Sequence, residues 1–384
     1  MLRYVGSLDS KGQKLLFKGM TTMAGYAQPG YLLFVRDGAL MIQPFDARRL
    51  ESTGQPFRLA DHITAKEYGN GGWGLAAFSA SENGVIAYRT ASRSAPHLFV
   101  WVGRDGKEIG PVLPPGYYCD PALSPDGRRL AFARKESATG TFDISILELA
   151  SGQETKLTID PADDRGPVWS PDSSAVMFSS LRKTGPGLYR KNANGVGTEE
   201  LIYPIKELFL PYQWPSNGSF IYFQGDHPGD LSILSLPDRK STALGLNPTT
   251  SGFGASDGVL SPDSRWLAYA SNVTGQYQIY VTTYPPSSTR LTVSTSGGSD
   301  TRWSKNGKEL FYVSLATGEL MSVDVTPGNP PGFGPPRRVY AGPLDYFTIH
   351  SFDLTPDETR FLVHIPDSGS DITVLLNWPS FLKK

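Results

Sequence analysis

A short sequence pattern that recurs along the 384-residue chain is the strongest constraint on its fold. The clear copies are LSPDGRRLAFAR at 123–134, WSPDSSAVMFSS at 169–180, LSPDSRWLAYAS at 260–271 and WSKNGKELFYVS at 303–314, and weaker copies begin at Phe78, Trp214 and Leu354. The third residue of the turn marks each copy, and the markers lie 43 to 51 residues apart: Gly84, Gly127, Ser173, Gly218, Ser264, Gly307 and Glu358. A period of this length predicts one supersecondary unit per copy.

The residues of one copy predict a four-stranded unit. In Pro125–Gly127, proline presets φ, the aspartate can bond the turn backbone, and glycine accepts positive φ. This turn joins two strands, of which the second is 130–133, and apolar segments at 142–149 and 155–159 supply the third and fourth. Four short strands per copy are typical of a propeller blade. We therefore predict an all-β fold, a β-propeller of four-stranded blades.

The number of blades follows from counting units. Residues 31–46 resemble the second and third strands of one more unit, which brings the count to eight. We predict eight blades, with seven as the alternative, in a single domain over 1–384. We expect strands in 1–18 to pair with the C-terminal blade at 349–378 and so to close the ring.

The Ser-Pro-Asp-Gly turn followed by an apolar-aromatic strand resembles the TolB-type, WD-repeat-like β-propeller from about residue 24 to the C-terminus. A narrower resemblance is to the propeller region joined to bacterial serine/threonine receptor kinases. Five segments carry it: YVGSLDSKGQKLLF (4–17), GYLLFVRDGALMIQPFD (30–46), SPDSRWLAYASN (261–272), GKELFYVS (307–314) and ITVLLNW (372–378). This resemblance implies a sensor or protein-binding module outside the cytoplasmic membrane. If the chain is the complete product, we expect it in the cytoplasm, because residues 1–10 do not read as a signal peptide.

Composition and missing motifs exclude several functions. A net charge of -1 gives no general attraction to nucleic acid, and the single cysteine, Cys119, excludes a disulfide framework. No apolar run approaches the roughly 18 residues of a membrane helix. The Gly-rich and His-Arg-Asp loops of kinases and the phosphate-binding loop are absent from the sequence. The segment GASDG at 254–258 fits the Gly-x-Ser-x-Gly pattern of serine peptidases, but no βαβ pattern surrounds it to form a nucleophile elbow. We predict a non-catalytic, monomeric module without a cofactor that binds a protein, peptide or small molecule.

Acidic residues supply the candidate site. Asp120, Asp257 and Asp300 each lie five residues before the repeat proline or its equivalent. In a propeller this offset falls where the chain enters the innermost strand, so these carboxylates should share one rim of the central channel. The full candidate set is Asp120, Asp164, Arg165, Asp257, Asp300, Arg302 and His350.

This rim allows several interpretations. Convergent carboxylates could hold Ca²⁺ or a ligand amine, or they could cap strand entries and pair with Arg165 and Arg302. An enzymatic alternative, a hydrolase or lyase, would use Asp257, Asp300 or His350 as acid or base. A third interpretation is a scaffold for a protein complex.

Tryptophans and histidines are assigned structural roles. Trp169, Trp214 and Trp303 occupy a repeat position that holds leucine in other copies, which favours core packing over a ligand-stacking ring. The five histidines, His62, His97, His227, His350 and His364, share no metal-ligand spacing in the sequence. We therefore predict ordinary loop or strand positions for them.

Overall fold

The computed structural model describes most of the chain: 2–6, 13–18, 24–61, 63, 65–66, 75–81, 83–90, 96–137, 140–183, 185–205, 211–215, 220–224, 230–246, 254–345, 348, 350–366 and 372–378. These residues form antiparallel β-strands joined by turns, and no α-helix occurs among them. No helix in the described ranges is long and apolar enough to cross a membrane. Two compact units are distinguished: unit 1 comprises Met1–Ala95 with Ser368–Lys384, and unit 2 comprises Pro96–Asp367.

Unit 2 contains six antiparallel sheets, each of which extends outwards from an innermost strand. From inside to outside, sheet 1 is Tyr118–Leu123, Arg129–Arg134, Asp143–Glu148 and Gln153–Lys156. Sheet 2 is Asp164–Trp169, Ala175–Ser180, Gly187–Asn192 and Glu200–Pro204. Sheet 3 is Pro211–Gln213, Phe220–Gln224, Leu231–Ser235 and Lys240–Ala243. Sheet 4 is Ala255–Leu260, Trp266–Ser271, Gln278–Thr283 and Leu291–Thr292.

Sheets 5 and 6 complete the unit. Sheet 5 is Ser299–Trp303, Glu309–Val313 and Leu320–Thr326, and the last of these pairs with both Gly332–Phe333 and Arg337–Tyr340. Sheet 6 is Phe352–Leu354, Arg360–Pro366, His97–Gly103 and Glu108–Pro111. The innermost strands of consecutive sheets contact one another, and the innermost strand of sheet 6 contacts those of both sheet 5 and sheet 1. Unit 2 is therefore a closed propeller ring.

This ring differs from two predictions. It closes over six sheets, not over eight or seven, because the repeat copies before Pro96 form sheets of unit 1. The predicted pairing of 1–18 with 349–378 is not among the strand pairings of the described residues. Arg360–Pro366 pairs with His97–Gly103, whereas Leu2–Gly6 pairs with Gln13–Lys18. Each open sheet edge needs a partner strand. The repeat period gives the number of units, but it does not show which strand pairs with which edge.

The repeat turns have the predicted geometry. The marker residue has positive φ at every described copy: 79° at Gly84, 72° at Gly127, 60° at Ser173, 56° at Ser264, 69° at Gly307 and 58° at Glu358. Gly218 lies outside the described residues. In the first turn of unit 2, the Gly127 N–H donates to the Ser124 carbonyl, and Asp126 accepts bonds from the Ser124 hydroxyl and the Arg128 N–H. Proline, aspartate and glycine thus play the roles that the sequence indicated.

The core of unit 2 lies between neighbouring sheets. Strand side chains alternate between two faces, and both faces of the middle strands are buried against the adjacent sheets. Between sheets 1 and 2, for example, Ile144 and Ile146 share a buried cluster with Trp169 and Phe178. Equivalent clusters lie between sheets 4 and 5 and between sheets 5 and 6. This packing requires apolar residues on both faces, as in the runs LAFA and VMF.

Unit 1 contains smaller sheets. One comprises Gly25–Ala27, Tyr31–Arg36, Ala39–Asp46, Glu51–Ser52 and Phe57–Ala60. The second comprises Phe78–Ala80, Val85–Arg89 and the C-terminal strand Ile372–Leu376. Two-stranded sheets are formed by Leu2–Gly6 with Gln13–Lys18 and by Ala65–Lys66 with Leu75–Ala76. Leu33, Leu40, Ile86 and Trp378 belong to the buried cluster of this unit.

Candidate binding site at the central channel of unit 2

The three aspartates at one repeat offset occupy equivalent and unusual backbone positions. Asp120, Asp257 and Asp300 have φ values of 53°, 55° and 48°, and all three are at most 4% exposed. Each lies at a register shift in the pairing of its innermost strand. Aspartate tolerates left-handed backbone better than most residues do, and glycine, Gly166, holds the same offset in sheet 2 with a φ of 61°.

These aspartates connect neighbouring sheets. The Gly166 N–H donates to Asp120 at 3.3 Å, the Asp300 N–H donates to Asp257 at 3.1 Å, and the Ser351 N–H donates to Asp300. In every case the donor is the residue at the same offset in the next sheet of the ring. A carboxylate that accepts a backbone N–H forms a charge-assisted hydrogen bond, which is stronger than a neutral one. The acids therefore bridge neighbouring sheets of the ring.

Arg165 compensates the charge of Asp120. Its Nε lies 2.9 Å from one carboxylate oxygen and a terminal nitrogen lies 3.4 Å from the other. Burial would lower the pKa of Arg165, but the carboxylates of Asp120 and Asp163 raise it above its usual range. The guanidinium also lies over the Phe142 ring, 4.6 Å from its centroid. Of the pairings that the sequence allowed, the one between Asp120 and Arg165 is present in the structure.

Arg302 is the centre of a second charged group. It donates to Asp300 at 3.2 Å and to the Thr301 carbonyl at 2.8 Å, its Nε lies 3.9 Å from Asp353, and a terminal nitrogen lies 2.6 Å from Nδ1 of His350. Burial raises the pKa of Asp300, but Arg302, His350 and the Ser351 N–H together hold it below its usual value. Burial raises the pKa of Asp353, and Arg302 offsets this only in part. One guanidinium therefore contacts two carboxyls whose pKa values shift in opposite directions.

His350 contacts an aromatic ring that belongs to a different sheet of the ring. This side chain is 2% exposed, and its ring lies 6.3 Å from that of Tyr212, edge to face. Tyr212 belongs to sheet 3 and His350 precedes the innermost strand of sheet 6. These two sheets are opposite each other in a ring of six, so the contact crosses the channel.

Asp164 has a separate set of partners. It is buried, and Arg182 donates to it at 3.1 Å. The same guanidinium contacts Asp160 and Glu199 and lies over the Tyr189 ring. Burial raises the pKa of Asp164. The sequence placed Asp164 on the rim with Arg165, whereas its observed ion pair is with Arg182.

A cavity of about 350 Å³ opens beside Arg302. The innermost strands of sheets 3, 4 and 5 and their repeat turns supply its walls: Tyr212, Gln213, Pro215, Val259, Leu260, Ser261, Pro262, Ser264, Arg302, Trp303, Ser304 and Lys305. Its walls are mostly apolar, and two cationic side chains lie among them. Arg302 is the member of the predicted binding set that lines this cavity.

Trp303 and Trp169 occupy equivalent repeat positions but different surroundings. The Trp169 indole donates to the Ala122 carbonyl at 2.9 Å and is buried, in line with the predicted core role. The Trp303 indole donates to the Val259 carbonyl at 3.3 Å and lines the cavity. One repeat position therefore serves packing in sheet 2 and both packing and a cavity wall in sheet 5.

Sequence reasoning missed two residues that make comparable contacts between sheets. Asp353 accepts from the Leu123 N–H at 2.8 Å, which joins sheet 6 to sheet 1. Gln213 accepts from the Leu260 N–H at 2.7 Å, which joins sheet 3 to sheet 4. Both lie three residues before the proline position of their copies, so a comparison at that offset would have found them.

Comparison with known proteins agrees with this architecture. Residues 77–252 match the model of the PD40 family, described as the TolB beta propeller domain. A solved structure described as a putative TolB from Agrobacterium tumefaciens superposes with a TM-score of 0.53 at 18% identity, covering 72% of this chain and all of that one. The protein thus contains a TolB-like β-propeller, as its sequence indicated.

Two curated relatives match parts of the chain. The uncharacterized peptidase YuxL of Bacillus subtilis is 27% identical over 156 residues, which are 40% of this chain and 22% of YuxL. The uncharacterized protein Atu1656 of Agrobacterium fabrum is 28% identical over 115 residues, which are 29% of this chain and 39% of that protein. The matches therefore span well under half the length of these relatives.

Proposed function

We propose that the protein is a non-catalytic binding module whose ligand, a protein segment, peptide or small molecule, binds at the mouth of the unit 2 channel. The cavity beside Arg302 is the observation that carries this proposal. Its volume lies at the lower end of the range of small-ligand pockets, about 300–1,000 Å³. A peptide side chain, or a peptide terminus together with the residues next to it, would fill this cavity.

The lining favours a particular ligand chemistry. Arg302 and Lys305 supply positive charge, whereas Trp303, Leu260 and Pro262 supply apolar surface. A guanidinium and an ammonium beside apolar walls suit an anionic group attached to an apolar one. We therefore propose that the ligand offers a carboxylate next to an apolar side chain, such as the C-terminus of a peptide.

The predicted rim residues enter this proposal in two roles. Arg302 contacts the ligand, and Asp300 and His350 position its guanidinium. Asp120, Asp164, Arg165 and Asp257 keep the surrounding innermost strands in place. Exchange of Asp257→Asn together with Asp300→Asn should weaken binding without unfolding the ring, because asparagine also tolerates positive φ and its amide oxygen can still accept the backbone bond.

A peptide selection tests the proposal. A displayed library of random peptides with free C-termini would be panned on the full chain, and the selected peptides resynthesised as acids and as amides. We expect the Trp303→Leu variant to bind the acids at least 10-fold more weakly, and we expect the amides to bind more weakly than the acids.

The chain provides a matched control. Trp169→Leu makes the same exchange at the same repeat position, away from the cavity, and should bind like the wild type. Equal losses in both variants, or equal affinity for acid and amide peptides, would refute binding at this cavity.

The sensor role implied by the resemblance to receptor-kinase propellers is a further part of the proposal. An in-frame kinase and membrane span in the upstream coding sequence would support it.

An enzymatic function, as a hydrolase or lyase, is the second candidate, and the carboxyl pair on Arg302 favours it. Groups whose pKa values are pushed apart are typical of acid and base partners. Against this role, both oxygens of Asp353 already accept backbone N–H bonds, from Leu123 and Leu354.

Stability measurements from pH 7 to about pH 3 test the pKa shifts behind this candidate. The raised pKa of Asp353 means that the folded protein binds its proton more tightly than the unfolded chain does. The wild type should therefore gain stability relative to Asp353→Asn as the pH falls through this window. For Asp300→Asn the difference should stay constant down to about pH 4 and shrink below it, because the folded pKa of Asp300 is depressed. Parallel curves for the two variants would remove the support for an acid–base pair.

A further inference from the structure

Two histidines and an aspartate that are distant in sequence converge in sheet 6 of unit 2. His97 begins the strand His97–Gly103, and His364 lies near the end of the neighbouring strand Arg360–Pro366. The Asp345 N–H donates to the His364 carbonyl at 2.9 Å, which brings the third residue beside the pair. One potential ligand atom from each side chain lies within 4.8 Å of the other two. Among the described residues this is the one such group of three.

His364 has an unsatisfied nitrogen in this cluster. The side chain is fully buried, and its Nε2 has no hydrogen-bond partner among the described residues. A buried polar atom without a partner is costly and is uncommon in folded proteins. The other nitrogen, Nδ1, lies 3.3 Å from the Thr348 hydroxyl, and the ring packs against Phe99. A histidine that is oriented through one nitrogen while the other is left for a ligand is typical of metal sites.

The donor set and its spacing suit a transition-metal ion. Nδ1 of His97 lies 3.3 Å from a carboxylate oxygen of Asp345. Zinc bonds of about 2.0–2.1 Å in a tetrahedral arrangement place ligands about 3.3–3.4 Å apart. The longer separations, up to 4.8 Å, would close by about 1.5 Å through side-chain rotation.

We propose that His97, Asp345 and His364 bind a divalent transition-metal ion, Zn²⁺ or a close relative, with one coordination position left for water. Two imidazoles and one carboxylate are ligands for this class of ion rather than for Ca²⁺, which prefers oxygen alone. The side chains of His97 and Asp345 are 20% and 14% exposed, which gives the ion a route in.

The place of the cluster in the ring gives the ion a structural role. His97 comes from the first strand of unit 2 along the chain, and Asp345 and His364 come from its last segment. Sheet 6 is where these two ends pair and close the ring. An ion held by all three side chains would link the ends at the closure, and it would stabilise the folded ring according to its concentration relative to its dissociation constant.

Titration of the full-length, chelator-treated protein with Zn²⁺ tests the site. We expect one equivalent to bind in calorimetry and the melting temperature to rise as Zn²⁺ is added. Asp345→Asn and His97→Gln should each weaken binding at least 10-fold and abolish the thermal shift. Both substitutions are close in size to the native residue and fall at partly exposed side chains, and circular dichroism would verify that the variants fold.

The other histidines provide the control. The His62→Gln, His227→Gln double variant keeps the cluster and should bind Zn²⁺ like the wild type. Loss of binding in that variant, unchanged binding in Asp345→Asn, or uptake of several equivalents at only millimolar Zn²⁺ would each overturn the proposal. Failure of peptide binding at the channel cavity would leave this result unaffected, since the two experiments use different residues and probes.

Discussion

Asp37 in unit 1 and Asp120 in unit 2 have nearly the same backbone conformation and different roles. Their φ values are 50° and 53°. Asp37 and Gly38 form the exposed two-residue turn of a hairpin in which Arg36 pairs with Ala39. Asp120 is buried within an innermost strand, where its carboxylate bonds Arg165 and the backbone of the next sheet. The same tolerance of positive φ thus closes a local turn in one unit and allows a contact between sheets in the other.

Both units combine sheets of consecutive strands with one sheet that pairs distant parts of the chain, as sheet 6 does in unit 2. Sheets 1 to 4 of unit 2 each use four consecutive strands of the chain, joined by repeat turns. The sheet of unit 1 that begins at Phe78 takes its edge strand, Ile372–Leu376, from the other end of the chain. Consecutive strands give mostly local pairing, whereas the distant strand carries a larger loop-closure cost.

The largest expected difference concerns the two aspartates. Asp120→Ala should destabilise the protein by about 2–4 kcal/mol, because it removes a bond between sheets and leaves the Arg165 charge without its main partner. Asp37→Ala should cost about 1 kcal/mol or less, since that side chain is exposed. Both exchanges lose the left-handed tolerance of aspartate, so their difference reports the contacts. Chemical denaturation of the full chain, monitored by hydrogen exchange in each unit, would measure it.

Asp120→Asn sharpens the same comparison. Asparagine keeps the shape and an acceptor oxygen but removes the charge. Asp120→Asn should therefore lower the free energy of unfolding, but by less than Asp120→Ala does. If Asp120→Ala and Asp37→Ala cost the same, the carboxylate does not hold neighbouring sheets together.

A smaller difference is expected at two turn glycines. Gly127 and Gly38 have φ values of 72° and 73°. A Cβ at Gly127 would lie 3.3 Å from the Pro356 ring in sheet 6, whereas one at Gly38 would meet no atom within 4 Å. Alanine at either site should cost about 1 kcal/mol for the backbone conformation, and Gly127→Ala should cost a few tenths of a kcal/mol more because proline must move. Thermal melting of the two variants would measure this, and a larger loss at Gly38 would contradict the contact between turns.

Much of unit 2 could be predicted from local chemistry. The turn residues indicated where the strands are joined, and Gly127, Gly307 and their equivalents have the predicted positive φ. The common offset of Asp120, Asp257 and Asp300 corresponds to equivalent backbone positions in their innermost strands. These inferences succeed because a turn or a strand entry is decided by a few neighbouring residues.

The remainder depends on long-range pairing. The pairing of His97–Gly103 with Arg360–Pro366 joins residues more than 250 positions apart, and neither segment differs in kind from other apolar strands. The repeat count therefore predicted eight blades where unit 2 closes with six. For the same reason the histidines had no visible spacing: His97 and His364 become neighbours only through this pairing.

The smallest expected effect on stability concerns the edges of the two units. The edge strand Ile372–Leu376 of unit 1 exposes Ile372, Val374 and Leu376, whereas the outer strand Gln153–Lys156 of sheet 1 is polar. An exposed apolar edge is a site for pairing between molecules, which a lysine disfavours. Ile372→Lys with Leu376→Lys should change the free energy of unfolding by no more than about 0.5 kcal/mol, because both side chains are already exposed. The double variant should nevertheless associate less than the wild type at high concentration in sedimentation velocity.

The control is Gln153→Lys with Thr155→Lys on the polar outer strand of sheet 1. This variant should change neither the free energy of unfolding nor the association. Equal association of all three proteins would mean that the apolar edge of unit 1 is no more adhesive than the polar edge of unit 2.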